Sequence, residues 1–100
     1  MVRFGRTDGN QSEIIQLSRQ IPGVSVKVLS DVGDGFTDTV YGYMGKNFLI
    51  EVKNGSCLTP AQKNFHGKGG TNPEREWKGQ KDVAHSFEDV MMIIGIRITG

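Results

Sequence analysis

The stretch from residue 36 to residue 54 constrains this chain more than any other. Two runs rich in aromatic and β-branched residues, 36–43 and 47–54, are separated only by Met44-Gly45-Lys46, a spacing that closes into a β-hairpin. A turn centred on Gly45-Lys46 sets Met44 opposite Asn47, Val40 opposite Glu51 and Asp38 opposite Lys53. Residues directly opposed across a sheet share a face, and so do residues two apart along a strand. Asp38, Glu51 and Lys53 therefore project together. Tyr41, Tyr43, Phe48, Ile50 and Val52 form the other face, which is apolar enough to pack on a helix. A slip of one residue would part Asp38 from Glu51.

The remaining segments supply what such a hairpin needs around it. Residues 12–20 read as a short helix, with Ile14, Leu17 and Ile21 near helical spacing, Asn10 or Ser12 as cap, and Pro22-Gly23 as the stop. Val24, Val26 and Val28 alternate with Ser25, Lys27 and Leu29 as in a strand, ended by the turn-rich run 30–35. Thr59-Pro60-Ala61-Gln62 has the form of a helix entrance: Thr59 caps, Pro60 takes the first helical position, and Gln62 completes a capping box. That helix is expected to reach about Gly67, followed by a loop over 66–78. Residues 82–85 form a fourth strand. Ser86 caps a last helix whose stripe is Val90, Met91, Ile93 and Ile94, with Gly95 as its end and Ile96-Arg97-Ile98 as a short edge strand or tail. The expectation is one α/β domain over 1–100, in the order α-β-β-β-α-β-α around a mixed sheet.

With 100 residues there is room for one core. The single cysteine, Cys57, excludes an internal disulfide and a zinc site of clustered cysteines, fits a reducing compartment, and reads as a buried or half-buried bystander. No apolar stretch approaches the roughly 20 residues of a membrane span, and no apolar segment follows the N-terminal arginines, so a cytoplasmic protein without membrane contact is expected. The net charge of +1 argues against binding nucleic acid by charge alone. Distribution matters more: residues 46–81 hold seven lysines and arginines against three glutamates, and this middle segment could face phosphate. His66 and His85 lack metal-ligand spacing and read as a loop and a strand-end histidine. Gly67-Lys68-Gly69-Gly70 lacks the strand and the full pattern of a phosphate loop.

Two carboxylates beside a lysine suit a hard divalent cation, Mg²⁺ with Mn²⁺ as a substitute, that polarises a phosphoryl oxygen, while Lys53 offsets charge on the attacked phosphate. Spacing alone equally describes a surface cluster of ion pairs.

The local text goes further. Gly35-Phe36-Thr37-Asp38, Phe48-Leu49-Ile50-Glu51-Val52-Lys53-Asn54-Gly55 and Leu58-Thr59-Pro60-Ala61-Gln62-Lys63 together resemble the PD-(D/E)XK nuclease superfamily, and within it the virus-type replication-repair nuclease (VRR-NUC) domains, particularly small stand-alone phage versions. The resemblance extends from Glu13 to the helix after Ser86. It implies a restriction-endonuclease-like three-layer core. It implies Asp38, Glu51 and the Val52 carbonyl as metal ligands, with Glu13 from the first helix, and Asp38, Glu51, Lys53 and Gln62 as catalytic residues. Lys63 and Lys68 are expected to contact DNA. Thr37 departs from the family, which commonly has proline before the aspartate.

The function so implied is a metal-dependent endodeoxyribonuclease acting on branched DNA, with Holliday-junction resolution foremost. Flap or nicked-duplex cleavage, or a non-catalytic DNA-binding subunit, are the alternatives. A four-way junction has pseudo-two-fold symmetry, which a homodimer would match. The apolar residues Met91, Met92, Ile93, Ile94, Ile96 and Ile98 could supply its interface or simply a core.

Overall fold

The computed structural model describes residues 11–29, 31–53 and 57–97. Helix α1 (Gln11–Arg19) leads into β1 (Ser25–Val28), β2 (Thr39–Tyr43) and β3 (Lys46–Val52). Helix α2 (Pro60–His66), a 3-10 turn (Pro73–Arg75), β4 (Asp82–Ala84) and α3 (Phe87–Ile94) follow. The four strands lie in the order β1-β2-β3-β4, antiparallel except for the parallel pair β3 and β4.

The hairpin closes two residues earlier in register than the sequence predicts. Tyr43 pairs with Lys46 and Thr39 with Ile50, leaving Met44-Gly45 as a two-residue turn with φ of 55° and 78°. Positive φ at both central positions gives the turn the twist that matches its strands. A shift of two preserves every side chain's face. Tyr41, Ile50, Val52 and, from β4, Ala84 thus meet Ile14 and Leu17 of α1 and Phe87, Val90, Met91 and Ile94 of α3 in one core, as the apolar face of the hairpin predicts.

On the other side stands α2, whose Gln62 reaches Glu51. Helices on both sides of a mixed sheet are compatible with a three-layer α/β architecture. An aromatic cluster ties α2 to the segments on either side of it: Phe65 stacks on Trp77 with ring centroids 5.6 Å apart, and Phe36 meets both edge-on. Phe36 therefore belongs to this cluster rather than to β2, which starts at Thr39.

Several local expectations change. Ser12 lies inside α1 and is not its cap, while Asn10 lies outside the described residues. Segment 66–78 folds back on α2, with Trp77 N donating to Phe65 O at 3.0 Å and Asn72 N to Asn64 Oδ1 at 3.0 Å. His66 is the last residue of α2 and is buried, rather than a loop histidine. Cys57 is exposed, because it precedes α2 instead of sitting under it. Met91 and Ile94 enter the core and Ile93 and Ile96 pack against it, leaving Met92 exposed. Ile96 and Arg97 form no strand, and Ile98 is outside the described residues. Among the described residues, no helix is long and apolar enough to cross a membrane.

Candidate functional site

Asp38 immediately precedes β2, and its carbonyl accepts from Leu29 N at 2.8 Å, tying it to the end of β1. Thr37, just before it, is fully buried and donates its hydroxyl to Thr39 O at 3.2 Å, bracing the backbone on either side of Asp38. Asp38 Oδ1 accepts from Val52 N at 3.0 Å, and its second oxygen accepts from the Gln11 side-chain amide.

Glu51 sits on the α2-facing side of β3 and is 3% exposed. Its Oε2 accepts from Gln62 Nε2 at 3.0 Å, whereas its Oε1 is buried without a hydrogen-bond partner. Gln62 does two jobs. Its Oε1 accepts from Thr59 N at 2.9 Å while its own N donates to Thr59 Oγ1 at 3.2 Å, the complete capping box; its Nε2 serves Glu51. The helix cap and the site share one amide.

Asp38, Glu51, Val52, Lys53 and Gln62 line a single cavity of about 450 Å³, together with Gln11 and the wall formed by Gly33, Gly35 and Phe36. Gly35 has φ of 76°, and a Cβ there would lie 2.3 Å from Ala61 O, so only glycine lets this wall meet α2. Glu13, in the first turn of α1, does not line the cavity, and Lys63 and Lys68 line a different one.

Sequence reasoning missed Gln11. The signal was present: Gln11 precedes Ile14 and Ile15 by three and four residues, so it stands at the exposed end of the row that carries them.

Both carboxyls resist ionisation. Burial raises Asp38, opposed by the Val52 N–H and by Lys53. Burial, and then the charge of Asp38, raise Glu51 to about 7, with Lys53 again opposing. Two carboxylates that repel each other, one with an orphaned buried oxygen, fit a hard divalent cation that takes one or two carboxylates and keeps its waters. Among the described residues no group of three or more His, Cys, Asp or Glu could hold a metal. The Val52 carbonyl lies 3.5 Å from Gln11 Nε2 beside the two carboxyls.

Comparison with family models, with curated proteins and with solved structures gives no match.

Proposed function

We propose that this chain is a metal-dependent endodeoxyribonuclease of the PD-(D/E)XK kind, similar to VRR-NUC domains, that hydrolyses phosphodiester bonds in branched DNA such as Holliday junctions. The observation that carries the reading is the buried pair Asp38 and Glu51, with the unpartnered Glu51 Oε1, in one cavity with Lys53 and Gln62. The resemblance and the helix-sheet-helix layering support a restriction-endonuclease-like core.

In this reading Asp38, Glu51 and the Val52 carbonyl would hold Mg²⁺ or Mn²⁺, which would supply Lewis acidity at the phosphate when bound. The chain's own residues do the rest. Gln62 fixes the Glu51 carboxylate by its amide N–H, and the Val52 N–H fixes that of Asp38. Lys53 places an ammonium where the attacked phosphate gains charge, in a partly enclosed site where such an interaction is stronger than in water. The first helix contributes through Gln11, whose amide can present Oε1 instead of Nε2 by a half-turn. Work in the cytoplasm suits the exposed, unpaired Cys57. Paired cuts in a two-fold junction call for a homodimer with two copies of the site.

The test is cleavage of an end-labelled four-way junction with Mg²⁺ or Mn²⁺ by wild type, Glu51→Gln and Lys53→Ala. Symmetric nicks by wild type that both variants lose support the reading. A preference for flaps or nicked duplex moves it to those substrates, and junction binding without any nick defeats it in favour of a DNA-binding subunit.

A further inference from the structure

A second cavity, of about 630 Å³, lies one strand away from the carboxylates. Glu51 lines the first and Val83, its register partner on β4, lines the second. Lys63 and His66 of α2 and Lys68 just beyond it contribute to the second wall, with Lys81 leading into β4. Lys81 is engaged: its Nζ lies 3.1 Å from Glu76 Oε2 and donates to Trp77 O at 2.8 Å. Lys63 and Lys68 make no ion pair among the described residues. Asp82 is the one carboxylate among the described lining residues, and its Oδ2 accepts from Gln80 Nε2 at 2.9 Å.

His66 is the unexplained group here. It is 5% exposed, its ring meets that of Phe65 edge-on with centroids 5.1 Å apart, and neither ring nitrogen has a hydrogen-bond partner. Buried polar nitrogens are nearly always partnered. Burial, and then the charges of Lys68 and Lys81, lower its pKa to about 4, so the ring is neutral and carries one N–H to donate. Lysines around a cavity repel a cation, which leaves an anion as the complement.

We propose that this cavity binds a phosphate-class oxyanion, with the Lys63 and Lys68 ammoniums neutralising its charge and His66 donating its N–H to one of its oxygens. Two sources share this chemistry: the backbone of a nucleic-acid strand running past the carboxylates, and a free phosphate or nucleotide. The inference stands on the cavity and does not require cleavage to occur.

The test uses the full chain in buffer with chelator, titrated with inorganic phosphate and followed by NMR of the His66 ring and the Lys68 amide. Saturable shifts in the millimolar range are expected. The Lys63→Ala/Lys68→Ala double variant should weaken binding at least about tenfold, as loss of charge-assisted contacts requires. Both lysines are surface residues, so an otherwise unchanged amide spectrum verifies the fold. Absent or non-saturating shifts, or undiminished affinity in the double variant, overturn the proposal. Displacement of phosphate by a single-stranded oligonucleotide under the same metal-free conditions identifies a nucleic-acid source, and retention identifies free phosphate or nucleotide. Failure to cut junctions would defeat the nuclease reading and leave this result untouched.

Discussion

In the carboxylate cavity burial raises Glu51 to about 7, whereas in the neighbouring cavity burial lowers His66 to about 4. Low polarisability around a group penalises whichever of its forms is charged, so one cause moves an acid up and a base down. The partners then differ. Asp38 adds to the penalty on Glu51 and Lys53 relieves it, which holds that carboxyl near the balance point at neutral pH. Lys68 and Lys81 reinforce the penalty on His66, which leaves the ring neutral across the physiological range and suited to donate or accept without changing charge.

The largest test of this contrast is chemical. Glu51→Gln should reduce junction cleavage by roughly a thousandfold or more, in line with loss of a central electrostatic group, measured as single-turnover rate. The same substitution at His66 should change the rate far less, since no catalytic step is assigned to that ring. Equal losses would erase the distinction between the two cavities.

Next in size, Gly35→Ala should cost about 2–4 kcal/mol of unfolding free energy in urea titration, through positive φ and collision with the Ala61 carbonyl. It acts first on the wall of the carboxylate cavity, at the N-terminal turn of α2, whereas Lys68, Lys81 and Val83 of the second cavity lie outside that helix. Phosphate binding by the variant, at a temperature where it remains folded, should therefore be retained.

Stability against pH, without metal, separates the cavities by sign. For Glu51 the folded pKa lies above its ordinary 4.5, so its stabilising contribution is full below pH 4.5 and is lost as pH rises through about 7. For His66 the folded pKa lies below its ordinary 6.5, so its contribution is full above pH 6.5 and is lost as pH falls through about 4. Each limb should amount to roughly 1–3 kcal/mol. Glu51→Gln should flatten the alkaline limb, and His66→Gln the acid one. A Glu51→Gln protein no more stable than wild type at pH 8 would contradict the burial account. That variant should thus gain stability and lose activity together, the expected relation where a site holds an unfavourable charge.

The smallest effects dissect Gln62. Thr59→Ala should cost about 1 kcal/mol by removing the cap. Gln62→Glu keeps an acceptor for Thr59 N but sets a carboxylate against Glu51, so it should spare the helix and still impair cleavage. If helicity and activity fall together, the two duties cannot be separated.

Much of this molecule was legible because its signals are local. The capping box at Thr59 and Gln62, the Ser86 cap with its side chain accepting from Asp89 N, and the alternation through Phe48, Ile50 and Val52 each read correctly over a few residues. The turn was misplaced because Gly45 draws attention to itself, while Met44 takes positive φ without a side chain that favours it. Gln11 is hard to read because an exposed amide at the start of α1 carries no charge to mark it, and its role depends on Asp38, 27 residues away. Neither His66 nor the second cavity had a local signal, since they arise where α2, the segments before and after it and β4 converge, from Cys57 to His85.

The two-residue turn at Met44-Gly45 lies at the opposite end of the hairpin from Asp38 and Glu51, yet it works as a parity check on the message carried by both strands. Had the hairpin closed one residue later, Asp38 would have come to face Val52, and Glu51 would have turned to the opposite side of the sheet from it. Insertions or deletions that shift the pairing by an even count keep the two acids in company, and odd ones exile one of them. Drift in hairpin length should therefore be tolerated in steps of two, a constraint written into the backbone rather than into any residue of the site.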